Sequence, residues 1–204
     1  MRDQLKLINI EDFDLGFNRL KNAKLELSGD LDLFEYQNAE IGLADLTMQD
    51  LLPCSYYALK SRLEFQREYR ERLLRELGLD LFRLPGIAYI KDGEKVFGLV
   101  PPFVESYPEE SGEIVSVLQD GVHRFLLSAE LGIKIKCILI KNVNCDRRYL
   151  PYAHPNSWEE LKLIDELPSI KKRYRREPKY SFMRPLSSIF DSNLIGSWAD
   201  YGRK

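Results

Sequence analysis

Asp120, Gly121, Val122, His123 and Arg124 place a carboxylate, a flexible backbone position, an imidazole and a guanidinium within one short run. It follows a short apolar segment of strand type, Ile114, Val115, Val117 and Leu118. It precedes a compact apolar helix, Phe125, Leu126, Leu127, Ala129 and Leu131, which Gly132 stops. Ile133, Ile135, Cys137, Ile138, Leu139 and Ile140 then give a second, largely buried strand. Free N–H groups at the mouth of such a helix, with His123 and Arg124 beside them, suit an anion. Phosphate is the first ligand this pattern implies.

Other chemistry is sparse. The chain has two histidines; the second, His154, sits in a Tyr-Ala-His-Pro-Asn loop and could meet a phosphate only if the C-terminal segment folds back. Lys171 and Lys172 would reach the site on the same condition. The three cysteines, Cys54, Cys137 and Cys145, are too scattered for a disulfide framework or a zinc site, so a reducing cytoplasm is expected. Cys137 falls in an apolar strand and is assigned to the core. There is no Walker loop, no Cys/His metal cluster and no Gly-x-Ser-x-Gly elbow, and no metal ligand set is predicted.

The elements that must hold the turn are legible in part. Ser61 to Leu77 is predicted helical, with Leu63, Tyr69 and Leu73 inward and charge pairs four apart, such as Arg67–Glu71, on a solvated side. Gly86 to Ile90 is a strand, and Lys91 to Lys95 a hairpin turn. Val96 to Glu105 reads as an extended segment broken at Pro101-Pro102, hence an edge strand or a bulged one. Ser157 is expected to cap a further helix, with Glu160 at the capping-box position, that ends before Pro168. Trp158, Tyr174 and Trp198 are expected to anchor the tail.

With 204 residues and 44% hydrophobic composition, one sizeable core is affordable. Net charge is -2, which argues against global polyanion binding. A local basic run (Lys171, Lys172, Arg173, Arg175, Arg176, Lys179, Arg184) is most simply a solvated face, with nucleic acid as the alternative. No apolar run approaches the roughly 20 residues of a membrane span, and no signal peptide is visible, so no membrane partner is expected.

Strand, Asp120-Gly121-Val122-His123-Arg124, helix, Gly132 and strand, in that order, resemble the ParB/sulfiredoxin superfamily. Arg72-Leu-Leu-Arg-Glu-Leu-Gly78 matches the preceding helix of that family, and Val100-Pro-Pro-Phe-Val104 its proline-bearing strand, so the resemblance covers about residues 43–143. It implies an α/β (α+β) domain, a small mixed sheet with flanking helices, over 43–146; residues 1–42 are read as an N-terminal extension packing on the core and 147–204 as a C-terminal helical or irregular extension. It also implies a nucleotide, ATP, ADP or CTP with Mg²⁺, whose phosphates rest on Asp120, Gly121, Val122, His123 and Arg124. Gly121 would admit the phosphates to the backbone, His123 would donate to them, and Arg124 would clamp them. Asp120 would orient the turn or meet the metal through water.

Where a sulfiredoxin has its cysteine, this chain has Val122, so sulfinic-acid reduction is excluded. The free serine kinase of the superfamily has a closer motif and a glutamate base upstream. That comparison implies phosphoryl transfer to a small hydroxyl-bearing acceptor, with Glu105, His123 and Arg124 as catalytic candidates and Glu40 and Glu64 behind Glu105. Partition proteins add a DNA-binding helix-turn-helix that residues 144–204 do not resemble. A DNA-associated or nuclease-like module, or a nucleotide-binding regulatory protein without turnover, is the alternative.

Overall fold

The computed structural model describes residues 4–23, 36–53, 55–108, 111–143 and 157–166. The chain begins with strand β1 (Lys6–Glu11) and helix α1 (Phe13–Asn22), whose N-terminus Asp12 caps through its carboxylate onto the Asp14 N–H at 2.8 Å. Strands β2 (Glu40–Leu46), β3 (Leu52–Pro53) and β4 (Tyr57–Leu59) lead into the long helix α2 (Lys60–Leu77). Strands β5 (Ile87–Asp92), β6 (Lys95–Leu99), β7 (Phe103–Pro108) and β8 (Ile114–Asp120) follow. Helix α3 (Val122–Glu130), β9 (Ile135–Lys141) and a short β10 (Lys162–Ile164) complete the described elements.

The main sheet has five strands in the order β2-β9-β7-β8-β3. It is mixed: β7 runs parallel to β9 and antiparallel to β8, while β3 runs parallel to β8. A second sheet, β1-β5-β6, is antiparallel throughout, and β10 pairs parallel with β4. This is the expected α+β class, and both strands flanking the motif helix lie in the main sheet, one on each side of β7.

Period-2 alternation divides that sheet into two faces. Val104, Leu118, Ile135 and Cys137 face α2 and α3, in a core with Leu63, Leu73, Phe125 and Leu127. Phe103, Ile138 and Ile140 face the other way, against Phe13 and Leu20 of α1 and against Tyr36. Leu63, Tyr69 and Leu73 are the buried stripe of α2, as their spacing predicts. Its arginines do more than solvate a face: Arg67 reaches Glu130 on α3, Arg70 grips Asp80, and Arg72 makes a two-point contact with Asp92.

Two expectations change. The segment across Pro101-Pro102 is two strands in different sheets, and β7 is the central strand of its sheet rather than an edge. The prolines precede β7, where their missing N–H groups disturb no ladder; the irregularity sits at Phe103/Val104. The helix expected from Ser157 is a single 3-10 turn, Ser157–Glu160, because the next residues pair with β4 as β10. In the N-terminal extension β1 is hydrogen-bonded to β5, and β2 spans the line drawn at 42/43. The 146/147 boundary, Cys54, Cys145, His154, the basic run, Tyr174 and Trp198 lie outside the described residues. Among those described, no helix is long and apolar enough to cross a membrane.

Candidate functional site

Gly121 makes the turn from β8 into α3 with φ +106, a left-handed conformation that side chains rarely adopt. A Cβ there would lie 2.7 Å from Cβ of Pro102. The glycine therefore lets the turn settle on the β6–β7 connection. Among the described residues no side chain caps the helix that follows, so its first-turn N–H groups are open to another acceptor. Val122 packs its side chain onto the core.

Arg124 is buried, and its guanidinium is largely engaged within the protein. Nη1 donates to the carbonyl of Val100, and Nη2 points at the Asp120 carboxylate, 3.5 Å away. Burial pushes this guanidinium below its ordinary pKa, while Asp120 opposes the shift. It braces the turn against β6–β7 more than it stands ready as a bare clamp. The Asp120 side chain is 64% exposed at the rim.

His123 is tied to the other helix. Its Nε2 accepts the Leu59 N–H at 2.9 Å, so the ring proton resides on Nδ1, which becomes the donor. Burial first, then Arg62, hold the imidazole down to about 4, so it is neutral at physiological pH. Leu59 is the residue from which α2 starts, also with no side-chain cap. The hydrogen bond thus brings the N-termini of α2 and α3 together, and their positive dipole ends with them. Arg62, half-buried in the first turn of α2, forms no ion pair among the described residues.

Arg62 was not predicted. The sequence offers a basic residue on a charged helix like several others, and only the contact of α2 with α3 singles it out.

Glu105 does not join this group. It is fully buried on β7, where Tyr36 Oη donates to Oε1 and Gln119 Nε2 donates to Oε2 at 3.1 Å. Tyr36 belongs to the α1 side of the sheet, whereas α3 packs on the opposite side. Strand alternation puts Glu105 on the face of Phe103, away from His123 and Arg124. Glu105 was expected as the base at this turn, and it lies across the sheet from it. Glu40 accepts from Asn142 Nδ2 at the start of β2, and Glu64 is exposed on α2.

Cys137 is a core thiol, as expected; burial raises it to about 12, which keeps it protonated and unreactive. Trp158 also acts as the expected anchor. Its Nε1 donates to the carbonyls of Met48 and Leu51, and its ring stacks on Phe125.

A family model described as the ParB CE domain matches residues 17–162. No curated protein and no solved structure matches the chain.

Proposed function

Since this chain belongs to the ParB CE domain family, we propose that it binds a nucleotide through its phosphates where α2 and α3 begin. The observation that carries this reading is the Leu59–His123 hydrogen bond, which joins two helix N-termini without side-chain caps beside Arg62. Backbone N–H groups of α3, Nδ1–H of His123 and the Arg62 guanidinium would meet phosphate oxygens. Arg124 and Gly121 would hold the turn in shape. ATP, ADP and CTP are the candidate ligands.

Among the described residues no three His, Cys, Asp or Glu side chains gather as a metal site. A Mg²⁺ would therefore arrive on the phosphates, which is its usual habit, with Asp120 as the carboxylate on the turn. It would neutralise phosphate charge there. The position of Glu105 leaves phosphoryl transfer without the base first assigned to it, so a binding or regulatory role is favoured over turnover. Three scattered cysteines favour a cytoplasmic setting.

Calorimetric titration with ATP, ADP, CTP and GTP, each with Mg²⁺, tests the proposal. At least one should bind, and Arg62→Ala should weaken it. If none binds, or if Arg62→Ala and His123→Ala both bind like wild type, the site is not here.

A further inference from the structure

β1 is an edge strand, and it lies before the residues that the family model matches. Its residues from Lys6 to Ile10 are all exposed, including Leu7 at 40%, Ile8 at 53% and Ile10 at 38%. Such an edge offers unpaired N–H and C=O groups beside apolar side chains, which is a template for another strand. Among the described residues none pairs with its outer side.

A bulge gives this strand a symmetry that plain alternation would deny it. Leu7 faces Ile90 and Asn9 faces Tyr89, so Ile8 is the extra residue. Beyond it the alternation shifts by one. Lys6, Asn9 and Glu11 share the face of Lys91, Tyr89 and Ile87, while Leu7 and Ile10 share the face of Ile90 and Ala88. Arg19 supports this assignment, since one guanidinium nitrogen reaches both Glu11 and the Tyr89 hydroxyl. Without the bulge Lys6 and Glu11 would point to opposite faces.

Counted outward from Asn9, the strand now has an apolar residue on each side, Leu7 and Ile10, and then opposite charges at the ends. We propose that β1 pairs antiparallel with β1 of a second copy of this chain, joining two three-stranded sheets into one of six strands. A two-fold axis through Asn9 sets Lys6 against Glu11 of the partner subunit and Leu7 against Ile10 of the partner subunit. The contact is isologous and therefore closes as a dimer. A lysine on an edge strand ordinarily discourages pairing. Here it finds a carboxylate, one that Arg19 already holds in place.

Sedimentation velocity on the full chain tests this across roughly micromolar to millimolar concentration, the range expected of so small an interface. Wild type should show a concentration-dependent dimer. Lys6→Glu and Glu11→Lys should each weaken it about tenfold, because two opposite-charge pairs become like-charge pairs. Their equimolar mixture should recover the dimer, because both pairs are again opposite. Leu7→Asp should leave a monomer with an unchanged circular dichroism spectrum; with Lys6→Glu it decides the matter if Glu11→Lys loses its Arg19 contact and unfolds. A wild type that stays monomeric throughout overturns the proposal. So does a Lys6→Glu or Leu7→Asp variant that dimerises like wild type, or a mixture of folded variants that does not recover.

Discussion

The Leu59 N–H donates to Nε2 of His123 at 2.9 Å, across 64 positions of sequence. The bond fixes one imidazole tautomer and ties the start of α2 to the first turn of α3. Because Nε2 must stay unprotonated to accept it, the contact carries a pH dependence.

His123 titrates at about 4 in the folded chain, against an ordinary 6.5. The unfolded chain therefore binds the extra proton between those values. Stability is unaffected above about pH 6.5, falls as pH drops toward 4, and loses no more to this group below that. The full loss is about 3 kcal/mol at most. Urea denaturation at several pH values should show a shallower slope in His123→Gln than in wild type over this window. Parallel curves would mean that His123 is not held neutral.

Gly121→Ala places a Cβ against Pro102 at a backbone φ of +106. The cost should be about 2–4 kcal/mol, from strain and overpacking together. A lowered melting temperature checks it; an unchanged one would show that the turn has room to relax.

Arg62 and Arg124 should separate binding from stability. Arg62→Ala is expected to weaken nucleotide about tenfold or more while shifting the melting temperature little. Arg124→Ala strips the Val100 carbonyl of its donor and should cost about 1–3 kcal/mol of stability. Calorimetry and thermal melting on both variants read the two effects.

Glu105→Ala should behave in the opposite sense to Arg62→Ala. Removing the carboxylate takes a partner from Tyr36 and from Gln119, at about 1–3 kcal/mol. Nucleotide affinity should stay at the wild-type value, since the sheet lies between them. An affinity loss in a variant still folded would place Glu105 at the site after all.

Trp158→Ala should release the parallel pairing of β10 with β4. The indole fills space against Phe125 and satisfies two carbonyls, so the loss is about 3–5 kcal/mol. Hydrogen exchange at Lys162–Ile164 should accelerate.

The motif helix and the buried stripe of α2 were legible because each rests on near-neighbour patterns. Phe125 and Leu127 fall in a short apolar segment that a glycine ends, and Leu63, Tyr69 and Leu73 recur at helical spacing. The short β10 was not legible, because Lys162–Ile164 has no strand pattern of its own. Its conformation comes from the edge of β4, a partner about a hundred residues earlier. The same reasoning explains Trp158, whose anchoring role was expected but whose acceptors, Met48 and Leu51, no local pattern could name.

By itself the sequence determined that Asp120–Arg124 turns a strand into a helix. This follows from local propensity and period; the α+β sheet around that turn came from the resemblance that the order of these elements carries. The tertiary structure decided which chemistry stands there. Strand alternation carried Glu105 to the far face, and burial spent Arg124 on Val100 and Asp120. The meeting of two helix starts brought in Arg62, which no spacing along the chain connects to His123.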